Sequence, residues 1–276
     1  MRKDVTVHMV VKNEDRFIWY AISSVLPYVD KIFICDTGSQ DSTINILSSF
    51  NDKKIVLDKK NVQYLSDIGK IRQFQIEQTA TEWIWVVDGD EIYTDGLCQE
   101  IGKIIEKKGD ELEGIVVRRY DLLGDVYHFQ DETAGKYRLF GQSGHFALRL
   151  INKKKISGLH IEGIYPYEGY YDYKGEELIY HPSIKYMFTE GHLFHAMYLS
   201  RSTLGKNLEE TFHRQKFKME KGNKITGKKS IPEVFFRNHP KIVPNVLGKR
   251  SVDYEIMAEF LTPLKKVKRK IWKNKV

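Results

Sequence analysis

Three carboxylates stand within four residues at Asp88-Gly89-Asp90-Glu91, directly after the wholly apolar run Trp83-Ile-Trp-Val-Val87. A short apolar run of that kind reads as a fully buried strand of a central sheet. Acids at the carboxyl end of such a strand, followed by a turn, lie where open α/β sheets place their ligands. Asp88 and Asp90 then offer hard oxygen ligands to Mg²⁺ or Mn²⁺, with positions left for a substrate diphosphate. Asp-Gly is also common turn chemistry, so taken alone the stretch reads more readily as a surface turn. A calcium loop fits badly, because Ile92 stands where that loop needs a ligand.

The elements upstream change the balance. Val5–Val11 is a β-branched run ending at Lys12-Asn13-Glu14, followed by a helical stretch to Pro27. Lys31–Cys35 is a second apolar run, ending at Asp36-Thr-Gly38-Ser39-Gln-Asp41-Ser-Thr43, where Asp41 or Ser42 can cap a helix over 43–50. A weak third strand spans 55–57, and a helix over 69–81 feeds directly into Trp83. Alternation of strand and helix from 5 to 107 predicts an α/β fold, its mostly parallel sheet covered on both faces. Glu14, Asp36 and Asp88 then end strands at one edge of that sheet, and three converging acids imply a site.

These segments, with Ile71-Arg72-Gln73 between them, resemble glycosyltransferase family 2 in order and spacing over roughly residues 5–95. More narrowly, they are similar to its bacterial members that decorate lipopolysaccharide or other surface glycans in cell-envelope biogenesis. A second patch, Phe146-Ala-Leu-Arg149-Leu150 through His160-Ile161-Glu162-Gly163, resembles the family's arginine-leucine-phenylalanine segment and its later acidic motif. The resemblance implies a GT-A-type, Rossmann-like mixed sheet, a nucleotide-sugar donor with uridine diphosphate as carrier, and a divalent metal. It also implies an inverting, hexosyltransferase-like single displacement onto a glycan or lipid-linked acceptor. Asp90 and Asp88 would hold the metal. Lys12, Asn13, Glu14, Asp36, Gly38, Arg72 and Asp88 would line the donor.

Inversion needs a general base for the acceptor hydroxyl. Glu162 is the candidate, with His160 on the same face of an extended segment to orient it. Relatives typically have adjacent His-Glu, whereas Ile161 intervenes here. His181, His192 and His195 are further candidates for metal or phosphate ligands, and His181 is assigned to the metal.

Composition sets outer bounds. The chain has 276 residues, 41% of them hydrophobic, and two cysteines, Cys35 and Cys98. That predicts a GT-A-type domain over 1–200, its donor half about 1–110 and its acceptor half about 111–200, followed by a helical extension over 201–276. Both cysteines fall inside predicted elements, so core packing in a reducing, cytoplasmic setting is expected. Between the elements, 121–142 reads as a polar, aromatic loop and 200–221 as helix. Five tyrosines between 165 and 173 suit packing or sugar stacking. Gly222, Gly227 and Lys228 nearly spell a phosphate loop, but Lys229 replaces the required hydroxyl residue.

The net charge of +7 is a property of the tail, where seven lysines and arginines lie between 265 and 275 with no acid among them. Thr262 can cap a helix there with Pro263 at its first position, giving a stripe of Leu264, Val267 and Ile271 with Trp272 beside it. Residues 262–276 therefore suit peripheral contact with an anionic membrane on its cytoplasmic face. No nucleic-acid module accompanies them, and no nucleic acid is expected as partner. Two other classes share parts of this pattern. A nucleotidyltransferase would want a Gly- and Arg-rich loop where Lys12–Arg16 stands. A non-catalytic basic adaptor would not need an intact Asp88-x-Asp90.

Overall fold

The computed structural model describes residues 4–60, 62, 64–135, 137–204, 218–226 and 231–273. In chain order the donor half comprises β1 (Val5–Val11), α1 (Ile18–Val25), β2 (Lys31–Asp36), α2 (Thr43–Ser48), β3 (Ile55–Lys59), α3 (Ser66–Gln78), β4 (Trp83–Val86), β5 (Glu91–Ile92) and α4 (Asp95–Lys108). The second half adds β6 (Gly114–Leu123), β7 (Asp125–Phe129), β8 (Tyr137–Leu139), β9 (Gln142–Gly144), β10 (Phe146–Asn152), β11 (His160–Glu162), β12 (Gly169–Tyr171) and β13 (Tyr186–His195). Last come β14 (Asn223–Lys224) and the long helix α5 (Val252–Lys273).

The main sheet runs β14-β7-β6-β10-β4-β1-β2-β3, with β13 pairing both β5 and β6. The β4-β1-β2-β3 end is parallel, whereas β10 runs antiparallel to β4 and β6. The parallel end is what the alternating pattern predicts, and the mixed sheet as a whole is the GT-A-type arrangement that the family resemblance implies. β1 and β4 are buried on both faces because α1 and α3 cover opposite sides, which is why their sequences are continuous apolar runs rather than alternating ones. One large core joins α1 and α4 to this sheet, and a smaller one gathers Ile76, Ile84, Val86 and Ile151 under the β11–β12 ribbon.

Several expectations change. The stretch 121–142 is not a plain loop, since it forms β7 and the β8–β9 hairpin. Pro263 does not start a helix but lies inside α5, and Thr262 Oγ1 donates to Ala258 O at 2.6 Å. Val234, Phe235, Val243 and Val246 join the main core, so the chain beyond 200 packs back on the sheet and, among its described residues, is helical in a short 3-10 turn at Glu233–Phe236 and then from Val252. The expected helix over 200–221 falls largely on 205–217, and Gly227 and Lys228 on 227–230, both outside the described residues. Cys35 and Cys98 are free and buried, and burial pushes the Cys35 thiol up to about 12.

Candidate active site

β1 and β4 are parallel neighbours with His8 opposite Val86. Asn13-Glu14 and Asp88-Gly89-Asp90 therefore leave the sheet side by side. A Cβ added at Gly89 would lie 2.8 Å from Glu14 Cγ, so the middle position of Asp-x-Asp has room only for glycine. Asn13 adopts a left-handed φ of 55°, and its side chain accepts from the Gln40 amide at 2.7 Å. Gly38, at φ 98°, turns the loop so that the Gly38 and Ser39 amides both donate to Asp36 Oδ1 at 3.0 Å. Ser39 Oγ donates to the other Asp36 oxygen. The Asp36 carboxylate is thus engaged by its own loop. Lys12 follows β1 and is half-buried.

Asp88 and Asp90 face different partners. Asp88 Oδ2 accepts from Arg149 Nη2 at 2.7 Å, and Arg72 Nη2 is 3.8 Å from Oδ1. Arg149 Nε also reaches the buried Glu91 Oε1 at 3.1 Å, and Arg72 Nε reaches Glu168 Oε1 at 3.2 Å. Burial works to raise the pKa of Asp88, but Arg149, Arg72 and His195 outweigh it and hold the carboxyl well below the usual range. A third of its side chain remains exposed. Asp90 Oδ2 accepts from Arg201 Nη1 at 2.9 Å, and Arg201 is also 3.4 Å from Glu14 Oε1.

The histidine beside Asp90 is His195, with Nε2 3.6 Å from Oδ2. Strand register puts it there: β13 pairs His195 with Glu91, and the Ala196 amide donates to Asp90 O at 2.9 Å. Its Nδ1 lies 3.2 Å from Asp121 Oδ1. Burial works to lower the His195 pKa, but Asp90 and Asp121 outweigh it, so the ring titrates above its ordinary value. A carboxylate facing an imidazole whose far nitrogen a second carboxylate holds is a donor set that fits a divalent metal.

His181 is the assignment that moves. Its Nδ1 lies 2.7 Å from Glu113 Oε2 and its Nε2 3.7 Å from Asp172, which places it with that pair while His195 takes the position beside Asp90. His192 stacks on Tyr120. His160 and Glu162 share one face of β11, as alternation requires, with Nε2 and Oε1 2.9 Å apart. Ile161 and its partner Tyr170 take the other face and pack on the smaller core. Glu162 is 54% exposed and lines an open cleft of about 350 Å³ with Gln73 and Phe74 of α3.

The fold gathers Arg72, Arg149, Glu91 and Glu168 around Asp88, and His195, Arg201 and Glu14 around Asp90. Arg149 in its Arg-Leu segment, Glu91 in the acidic motif and His195 among three candidate histidines are visible in the sequence, whereas Glu168 and Arg201 carry no local signal.

The glycosyl transferase family 2 profile matches residues 6–162, more than half of the chain. The chain belongs to this family, and so to the glycosyltransferases as an enzyme class. Among curated relatives, it is 27% identical over 106 residues to the SPbeta prophage-derived glycosyltransferase SunS of Bacillus subtilis, covering 37% of this chain and 24% of SunS. It is 26% identical over 153 residues to an uncharacterized glycosyltransferase of Rickettsia felis, covering 55% and 49%. The chain thus spans from a quarter to half the length of these relatives. Among solved structures it is similar to S. aureus TarS in complex with UDP-GlcNAc, at 14% identity and TM-score 0.42, over 54% of this chain and 45% of that one.

Proposed function

We propose that this chain transfers a sugar from a nucleotide-sugar donor to a glycan or lipid-linked acceptor, with metal assistance and inversion of the anomeric centre. The observation that carries this reading is the division of labour at the end of β4, in a chain of glycosyl transferase family 2. Asp88 is held by two arginines and Asp90 faces a histidine. Asp90 and His195 would hold Mg²⁺ or Mn²⁺, with Asp88 alongside. That ion supplies Lewis-acid neutralisation of the departing diphosphate. Arg72 and Arg149 add fixed positive charge beside the same place. Lys12, Asn13, Glu14, Asp36 and Gly38 would form the wall against base and ribose, with a uridine carrier as the first donor to test.

Glu162, oriented by His160, is the proposed base. Glu168 is ion-paired with Arg72, which stands beside Asp88, and so serves to position that guanidinium. Glu162 is open to an incoming hydroxyl, and its ion-pair partner among the described residues, His160, can itself give up a proton.

A cytoplasmic enzyme peripheral to a membrane is the reading favoured for α5. Tyr254, Ala258, Thr262, Lys265 and Arg269 turn toward the protein, where Arg269 pairs with Glu220 and Lys265 Nζ donates to Met219 O. Val252, Ile256, Phe260, Leu264, Val267 and Ile271 are all exposed. At 100° per residue they fall within an arc of about 120° on the opposite side. The helix is thus docked by its polar, small side and shows solvent its apolar one. With lysines at both edges, that face suits an anionic bilayer surface. No helix among the described residues is long and apolar enough to cross a membrane. The side chain of Trp272 lies outside the described residues.

The test is a thermal-shift panel of uridine, guanosine and cytidine diphosphates with and without Mn²⁺. Uridine diphosphate with Mn²⁺ should raise Tm most, because a ligand bound only by the native state stabilises it. No shift with any nucleotide, metal present or absent, would sink the reading.

A further inference from the structure

We infer that Asp172, Glu176 and His181 form a second divalent-metal site, of the zinc type, apart from the carboxylates at the end of β4. One ligand atom from each of the three lies within 4.8 Å of the others. An acidic cluster alone means little, but His181 is arranged as a ligand. Its side chain is only 10% exposed, and its Nε2 is buried with no hydrogen-bond partner. That nitrogen points at Asp172 Oδ2, 3.7 Å away. Two ligands on a tetrahedral zinc with bonds near 2.1 Å stand about 3.4 Å apart, so this pair needs almost no movement.

The surroundings hold each ligand for that use. Asp172 Oδ1 accepts the amides of Lys174 at 2.8 Å and Glu176 at 3.0 Å, which leaves Oδ2 to face the ring. Glu113 Oε2, 2.7 Å from His181 Nδ1, fixes the ring and leaves Nε2 as the coordinating atom. Glu113 is itself fixed, because Lys185 Nζ donates to its Oε1 at 2.8 Å and the Tyr186 hydroxyl to its Oε2 at 3.2 Å. The Lys174 ammonium, next to the cluster, lies over the Tyr173 ring. Glu113, Asp172 and Glu176 against Lys185 leave local negative charge that a dication complements. One imidazole with two carboxylates, and a fourth position for water, suits zinc better than magnesium.

The ion would tie the turn after β12 to the chain at His181. That turn follows the strand that carries Tyr170 and, just before it, Glu168 on Arg72. Occupancy would therefore stiffen the ribbon that supports the donor side.

The test uses the full chain, stripped with chelator and titrated with Co²⁺, whose visible spectrum reports low-coordinate nitrogen–oxygen sites. Co²⁺ bands should appear in wild type and persist in Asp90→Asn. In that Asp90→Asn background they should be lost when His181→Gln or Asp172→Asn is added, and Zn²⁺ should displace Co²⁺ where they persist. Zinc should raise Tm in Asp90→Asn and leave it unmoved in Asp90→Asn/His181→Gln. Glu113→Gln, which only orients the ring, should weaken zinc by about 10- to 100-fold. If His181→Gln fails to fold, the exposed Glu176→Gln gives the same readout. Bands unchanged in the variants of this cluster, or lost entirely in Asp90→Asn, overturn the inference.

Discussion

Arg149 Nη2 lies 2.7 Å from Asp88 Oδ2, and the same guanidinium closes on Glu91, whose side chain has no exposed surface. One arginine thus links the partly exposed Asp88 of the motif to the buried Glu91 behind it. Burial works against the charged guanidinium, but Glu91 and Asp88 outweigh it and keep the pKa of Arg149 well above its ordinary value.

Removing that arginine should therefore cost stability as well as activity. Arg149→Leu strands Glu91 as an unpaired buried charge and should lower the unfolding free energy by about 3 kcal/mol. The double variant Arg149→Leu/Glu91→Leu should recover much of the loss, because no charge is left buried. Urea denaturation of wild type, both singles and the double decides it. A single variant within about 1 kcal/mol of wild type, the range of exposed ion pairs, would show that the pair is effectively solvated.

Asp90 and His195 should act together in metal-linked donor binding. Asp90→Asn and His195→Gln are each expected to lose Mn²⁺-stimulated uridine diphosphate binding by at least about tenfold, as measured by calorimetry. The strand-end position of Asp90 suggests a cheap substitution, yet its carboxylate is buried against Arg201. Asn is for that reason the safer probe than Ala. Equal Mn²⁺ enhancement in wild type and both variants would put the metal elsewhere.

Glu162 and Glu168 should separate by step. Glu162→Gln is expected to lower transfer by about 10²- to 10⁴-fold with donor affinity intact, the cost of losing a general base. Glu168→Gln should instead weaken donor binding, since it loosens Arg72. Normal transfer by Glu162→Gln would remove it as base and direct attention to Glu168.

Acid sensitivity should trace to His8. Burial foremost, with Arg72 and Lys153 adding to it, lowers its pKa to about 3, and its Nε2 is 2.6 Å from Thr79 Oγ1. The unfolded ring binds a proton from about pH 6.5 downward while the folded ring stays neutral to about pH 3, so stability falls as pH falls through that window. Between pH 7.5 and 5.5 this one group should cost about 1 kcal/mol. His8→Gln, though less stable at neutral pH, should show a shallower slope over that range. A parallel slope in urea midpoints would count against it.

The outer face of α5 should govern vesicle binding. Phe260 and Leu264 are 72% and 67% exposed, so Phe260→Asp/Leu264→Asp should leave the fold intact while removing apolar contact. Co-sedimentation with vesicles containing anionic lipid should fall, and that of wild type should fall with salt. Truncation after Pro263 is the poorer experiment, because it cuts α5 in mid-helix. Equal co-sedimentation of wild type and the double variant is the outcome that refutes membrane contact.

What could be read in advance was whatever local pattern encodes. The apolar runs ending in Glu14, Asp36 and Asp88 fixed the donor half, since buried parallel strands leave an unmistakable composition. Arg149 could be found because it sits in a recognisable Arg-Leu segment. Arg201 could not, because a distant loop brings it to Asp90 across more than a hundred residues of chain, and His195, one of three histidine candidates, is singled out only by the β13 register that sets it beside Asp90. His181 was misplaced for the same reason, since spacing along the sequence does not tell three histidines apart. In α5 the pattern was read correctly but its start was not, because Pro263 resembles a first-turn residue when the preceding turns are unseen.

Gly89 and Glu14 sit against each other across two strand ends, and this links their evolutionary fates. A side chain at 89 is tolerable only if 14 becomes smaller or the β1 exit is rerouted. The substitution history of one position should therefore be legible in the other: wherever a homologue carries a residue other than glycine between its two aspartates, its counterpart of Glu14 is expected to have shortened in the same lineage.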